Sequence, residues 1–332
     1  MKMEQDAYRE AGVDIDLEAA AVKSLISELT YRRTDQFGMA SEIGHFAGFI
    51  SFGKYVLAMA VDGVGTKMLV ADALQDWSTV GIDCIAMNVN DLYVMNLEPV
   101  AFVDYIATSE LSQEQMRQIG KGLNEGARQA NLSILGGETA TLKGLVTGLD
   151  LAGACLGIQE KEKVISGSAI TPGDCMVGIP SSGIHSNGLT LARRMVEQHG
   201  SYSDRLPSGA TLGDELLRPT RIYADALQVC AETAVHGMCH ITGGGLLNLN
   251  RLGEFGYVFD APLPPQEIFE WIAKAGQISE PEMYRTFNMG MGYVFILPKE
   301  GVKTVQKYFP DAQIVGHITG TPGIRLNGKK LF

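Results

Sequence analysis

Short apolar runs of strand length alternate along the chain with longer stretches in which apolar residues recur at helical spacing. The runs Tyr55–Val61, Val100–Ala107, Leu132–Leu135, Gly148–Glu160, Cys175–Ile179, Tyr257–Asp260, Gly292–Leu297 and Gln313–Ile318 predict strands. Helical periodicity marks Leu17–Leu29, Thr79–Met95, Ser112–Ala130, Leu189–Gln198, Ile222–His236, Gln266–Ala275 and Lys299–Tyr308. Residues 31–54 read as a glycine- and aromatic-rich loop. Strands and helices mix in both halves without strict alternation, which favours an α+β fold over a doubly wound parallel sheet. The polar stretch Lys161–Gly173 reads as a domain boundary, dividing residues 1–168 from 169–332.

Composition narrows the class. At 332 residues, 45% hydrophobic and 20% charged, the chain suits a two-domain globular protein. A net charge of −11 disfavours general nucleic-acid binding, which needs a basic face to displace counterions. No apolar run approaches a membrane span, and Met1–Asp6 lacks a signal-peptide core, so a cytoplasmic protein with no membrane partner is expected. The cysteines, Cys84, Cys155, Cys175, Cys230 and Cys239, are odd in number and form no C-x-x-C, as expected of reduced thiols.

The candidate chemistry begins where the first buried strand ends, at Asp62-Gly63-Val64-Gly65-Thr66-Lys67. Glycines let backbone N–H groups approach phosphate oxygens, a Lys adds positive charge, and an Asp can take magnesium. The spacing is not that of a P-loop, because Thr66 precedes Lys67 and the glycines are too close. A tight turn with a solvated Lys fits the same residues.

The next helix carries a polar stripe. With Asp83 as origin, Asn90 falls at about −20° and Asp91 at about 80°, opposite a stripe of Ile82, Ile85, Val89 and Leu92. A solvated face is the ordinary reading of such a stripe. This one has no Lys, Arg or Glu and offers only short oxygen ligands, which suit Mg²⁺. A further carboxylate follows two glycines at Gly136-Gly137-Glu138-Thr139-Ala140, read as a strand end. In the second half, Ser181–Gly188 (SSGIHSNG) brings His185 and Asn187 to a helix start, as a helix cap, a ligand site or both. His240-Ile241-Thr242-Gly243-Gly244-Gly245 reads as a phosphate-approach loop or a flexible turn.

Taken together, Asp62–Lys67, Gly81–Asp91, Gly136–Ala140, Ser181–Gly188, Pro219–Tyr223 (PTRIY), His240–Gly245 and Glu282–Asn288 (EMYRTFN) resemble the phosphoribosylformylglycinamidine cyclo-ligases, or aminoimidazole ribonucleotide synthetases. Tyr8–Asp14 is similar to that family's start. The resemblance implies a two-domain α+β fold, with an N-terminal ATP-binding domain forming a dimeric β-barrel and a C-terminal α/β sandwich domain. It implies ATP-dependent ring closure of formylglycinamidine ribonucleotide by a magnesium-using homodimer. Carried over by motif, Asp62, Asp91 and Glu138 become the Mg–ATP ligands. Gly63, Val64, Gly65, Thr66 and Lys67 become phosphate contacts, and Gly137 and Thr139 flank the third carboxylate. Asn90 and Asp83 become water-mediated partners. Thr242, Gly243, Gly244 and Gly245 hold a phosphate. Lys67, His185 and Asn187 become the catalytic candidates.

The sequence also departs from the family. Ile43–Phe49 has fewer glycines than the usual G-G-x-G-G-F-G, and Thr141-Leu142-Lys143-Gly144 replaces an acidic residue and Met-Pro-Gly. Both segments are expected to act as lids. Thiamine-monophosphate kinase, selenophosphate synthetase and the hydrogenase-maturation dehydratase would share the acidic cluster. Of these, the synthetase wants a reactive Cys near its start and the dehydratase a C-terminal Cys; here the first Cys is Cys84 and the last residue is Phe332. A non-catalytic nucleotide-binding regulator is the remaining reading, and loss of a metal carboxylate would be its sign.

Overall fold

The computed structural model describes residue 12, residues 15–41 and residues 44–332. Apart from Gly12, the family-like start Tyr8–Asp14 lies outside the described residues. Two sheets organise the chain. The first contains β1 (Gly48–Phe52), β2 (Tyr55–Gly63), β3 (Glu98–Thr108), β4 (Ser133–Thr141) and β5 (Leu149–Glu160), in the order β1-β2-β5-β3-β4. Only the β3–β4 pair is parallel. Among the described residues it is an open sheet that does not close into a barrel.

One face of this sheet is covered by the Val80–Tyr93 helix, on which the Gln113–Ala130 helix packs in turn. The two helices approach closely at Gly81, where a Cβ would lie 2.2 Å from the Leu123 backbone nitrogen. Any side chain there would force the helices apart. Among the described residues nothing covers the opposite face: Met59, Val61, Val103 and Tyr105 are exposed on it.

The second sheet contains β6 (Cys175–Pro180), β7 (Gly237–His240), β8 (Gly256–Phe259), β9 (Met291–Leu297), β10 (Gln313–Thr319), β11 (Gly323–Leu326) and β12 (Lys329–Lys330), in the order β12-β11-β8-β10-β6-β9-β7. It is antiparallel except for the parallel β8–β11 pair. Every residue of β9 is buried, which explains its continuous apolar run. The mixed content agrees with the α+β expectation. Among the described residues no helix is long and apolar enough to cross a membrane.

Three local differences from the sequence reading have physical causes. Residues 48–52 form a strand rather than loop, because they pair with β2 as a hairpin. The GGETA run is not a strand end but part of β4: Asp104 pairs with Gly137 and Tyr105 with Glu138. A Cβ on Gly137 would lie 2.5 Å from the Asp104 carboxyl, so the glycine serves close packing rather than a turn. The helix expected from Ile222 starts at Ala226. The preceding residues are held out of helix by side chains of the N-terminal half, described next.

Candidate functional site

The two halves meet along the helix Val80–Tyr93, and the polar stripe lies in that junction rather than in solvent. Its side chains have separate fates. Asp83 is fully buried and paired with the equally buried Lys67, Nζ to Oδ2 2.8 Å. Asp83 Oδ1 also accepts from the Thr220 N–H (2.8 Å), the Thr220 hydroxyl (2.6 Å) and the Ser186 hydroxyl (3.0 Å). Lys67 donates in addition to the Arg218 carbonyl, 2.7 Å. Burial pulls the Lys67 pKa down while Asp83 holds it up. The cluster therefore fastens PTRIY and SSGIHSNG to the first domain. It leaves the Lys67 ammonium engaged inside the protein, away from solvent.

Asn90 is buried and saturated. Its Nδ2 donates to the Arg221 carbonyl (2.9 Å) and faces His240 Nε2 (3.4 Å), while its Oδ1 accepts from the Tyr223 N–H (3.0 Å). These bonds keep residues 221–223 out of helix.

Asp91, one residue on, is partly open and meets the buried His240, Nδ1 to Oδ1 3.2 Å. Asp62 lies close enough to be affected by it. Burial, then the negative charge of Asp91, push the Asp62 carboxyl up to about 6, against smaller lowering effects from the Gly63 N–H, His240 and Arg251. The Asp91 charge thus bears on Asp62 without a full counter-charge between them.

Glu138 does not join them. Asp62, Gly153, Asp104 and Gly137 form one row across the sheet on the helix-covered face. Glu138 stands in the next row, with Gly63, Ala152 and Tyr105, and side chains of successive rows point to opposite faces. Glu138 and its neighbours Gly137 and Thr139 are exposed. Among the described residues no group of three or more His, Cys, Asp or Glu side chains converges to hold a metal. The Asp62–Asp91 pair nevertheless fits Mg²⁺, which commonly takes one or two protein carboxylates and completes its shell with phosphates and water.

The rest of the hexapeptide lines the junction. Val64 is buried, Gly65 is in the left-handed region with φ 66°, and the Thr66 hydroxyl meets that of Thr190 at 2.9 Å across the two domains. In the second domain, His185 sits at φ 66°, a conformation that costs a non-glycine residue on the order of 1–3 kcal/mol. Asn288 supports it by donating to the Gly183 (2.9 Å) and Ile184 (3.2 Å) carbonyls. Burial, with smaller effects from His240, Lys67 and Arg221, holds the His185 pKa well below the ordinary value, so the ring is neutral. The Ser182 N–H donates to its Nε2 at 3.3 Å, which leaves the proton on Nδ1, and Nδ1 has no partner. As arranged, His185 offers a donor rather than a basic lone pair.

Asn187 lies against the glycine loop: a Cβ on Gly243 would be 2.9 Å from its Oδ1. Gly245 is pressed against the EMYRTFN helix, 1.9 Å from the Tyr284 carbonyl by the same measure. His185, Asn187 and Thr242–Gly245 are thus gathered on one side of the junction, with Asp62 and Asp91 near His240.

His240 and Arg251 escaped the sequence reading as site residues. His240 stood next to the candidate loop, but its contact with Asp91 spans 149 positions and leaves no local signal. Arg251 stacks over Phe46, 4.9 Å from the ring centroid, and so reaches the segment expected as a lid.

Comparison with known proteins fits this arrangement. Residues 44–159 match the family described as AIR synthase related protein, N-terminal domain, and residues 171–329 its C-terminal domain. A phosphoribosylformylglycinamidine cyclo-ligase of Methanosarcina acetivorans is 50% identical over 96% of each chain. That of Thermococcus kodakarensis is 46% identical over 96% of this chain and 97% of its own. Among solved structures, a thiamine monophosphate kinase from Aquifex aeolicus superposes with a TM-score of 0.67 at 16% identity, covering 96% of this chain and 99% of its own, a likeness of fold alone. Two matched domains and near-half identity over almost the whole length establish that the chain belongs to the phosphoribosylformylglycinamidine cyclo-ligase family.

Proposed function

We propose that the protein catalyses the ATP-dependent cyclisation of formylglycinamidine ribonucleotide to 5-aminoimidazole ribonucleotide, a step of de novo purine biosynthesis. The observation that carries this reading is the 50% identity to a curated cyclo-ligase over 96% of both chains. The kinase-like and hydrogenase-maturation alternatives are supported only by folds at 16–18% identity.

The chemistry asks for positioning more than for a nucleophile. An amide oxygen takes the γ-phosphoryl group of ATP, releasing ADP and the amide proton and giving an iminophosphate. The neighbouring amidine nitrogen attacks that carbon, and inorganic phosphate leaves with the oxygen. Such transfer depends on alignment and charge neutralisation. Asp62 and Asp91 are the carboxylates that would hold magnesium, which when bound neutralises phosphoryl charge. The backbone of Gly63–Thr66 and the loop Thr242–Gly245 are suited to approach phosphates. Asn187 is assigned to substrate binding. His185, with its unpartnered Nδ1–H, is assigned to donate to an oxygen that gains charge. Lys67 supports the site as part of the buried brace.

We also propose a homodimer joined through the uncovered face of the first sheet. Met59 and Val61, 57% and 72% exposed on that face, support it. Glu138 shares the face, and in this reading it lies at the interface between copies.

Incubating the protein with ATP, magnesium and formylglycinamidine ribonucleotide, and assaying phosphate and aminoimidazole together, tests the activity. Equal, substrate-dependent release of both is expected; phosphate release that ignores the ribonucleotide would sink the reading.

A further inference from the structure

We propose that His240 is a positioning residue for the metal–nucleotide site, holding Asp91 through a tautomer that Asn90 imposes. The inference rests on the reading of Asp62 and Asp91 as magnesium carboxylates.

It begins with two backbone groups that have no freedom of role. The Tyr223 N–H can only donate and the Arg221 carbonyl can only accept. Their bonds to Asn90, 3.0 Å to Oδ1 and 2.9 Å from Nδ2, fix which way the amide points. The second Nδ2 hydrogen is then directed at His240 Nε2, 3.4 Å away. That nitrogen must accept, so the imidazole proton resides on Nδ1. Nδ1–H in turn donates to Asp91 Oδ1 at 3.2 Å.

Each link but the last is buried: Asn90 and His240 are 0% exposed, while the Asp91 side chain is 19% exposed. One Asp91 oxygen is tethered and the other is free for a ligand. The tether comes from the second domain, at the end of β7 and two residues before the Thr242–Gly245 loop. The carboxylate that would hold the cation and the loop that would meet phosphate are therefore set by one rigid strand end. Histidine partners of this kind orient carboxylates and tune their cation affinity.

The test measures binding of β,γ-methylene ATP by calorimetry across a magnesium series, without turnover. For His240→Leu, the magnesium concentration at half-saturation should rise about 10- to 100-fold, with weak magnesium-free binding unchanged. His240→Asn, which keeps an N–H donor, should stay within a few-fold of the native protein. A native magnesium requirement in His240→Leu, or an equal loss with and without magnesium, overturns the proposal. Asp91→Asn separates the two levels: if it leaves the magnesium requirement unchanged, the metal reading fails and this inference with it. If Asp91→Asn abolishes the requirement and His240→Leu does not, only the inference fails. Should His240→Leu not fold, imidazole NMR of the native protein decides. An Nδ1–H tautomer for His240 is expected, and an Nε2–H tautomer contradicts it.

Discussion

Two pairs of charged residues, drawn from the same strand–turn and the same helix, are treated oppositely by the fold. Lys67 and Asp83 are sealed together, both 0% exposed, with donors from Thr220 and Ser186 completing the carboxylate. Asp62 and Asp91 are left as like charges, partly open, with one carboxyl pushed up to about 6. The first pair is complete without any ligand; the second is short of positive charge. Electrostatic completeness thus separates the brace from the candidate reactive site, although both pairs looked like ligands in the sequence.

The largest effect should come from breaking the brace on one side. Lys67→Met leaves the Asp83 charge buried and should cost about 3–5 kcal/mol in chemical unfolding, while Lys67→Met with Asp83→Leu should recover much of it. A Lys67→Met protein of native stability but little turnover would instead make Lys67 a catalytic contact. Next is the open pair. Asp62→Asn should lower kcat about 100-fold or more with the circular dichroism spectrum intact, since charge stabilisation at the transferring phosphoryl is lost. Native turnover would remove Asp62 from the site.

The same variant sharpens the comparison through pH. The Asp62 pKa is raised from an ordinary 3.8 to about 6, so the folded protein keeps a proton that the unfolded chain has released. Stability is therefore lost as pH rises between those values, and above them Asp62 costs the metal-free protein about 1–3 kcal/mol. Asp62→Asn should be more stable than the native protein at pH 8 by that amount, and no more stable near pH 3. Equal unfolding midpoints at pH 8 would mean that the two carboxylates do not oppose folding. The smallest effect is at the edge of the junction: Thr66→Val removes the bond to Thr190 and should cost about 0.5–1.5 kcal/mol.

The comparison also explains what the sequence could and could not disclose. The strand ending at Asp62 and the stripe of Asp83, Asn90 and Asp91 follow from local periodicity, and the family resemblance follows from motifs read in order. The sorting of that stripe into brace, support and reactive carboxylate depends on Thr220, Tyr223 and His240, more than a hundred residues away. Periodicity cannot carry that information. Glu138 stands with the other carboxylates by its motif and by the two glycines at an expected strand end. Pairing with β3 makes the run a strand, and the alternation of strand side chains turns Glu138 to the other face. His185 is a catalytic candidate by motif, and only the Ser182 N–H on its Nε2 shows which ring nitrogen carries the proton.

Amide activation is tested most directly by labelling the formyl-amide oxygen of formylglycinamidine ribonucleotide with ¹⁸O and following it through one turnover with ATP and magnesium. Phosphorylation of that oxygen predicts that the label appears in inorganic phosphate, with one labelled atom per aminoimidazole formed. Unlabelled phosphate, with the label released to water, would contradict it.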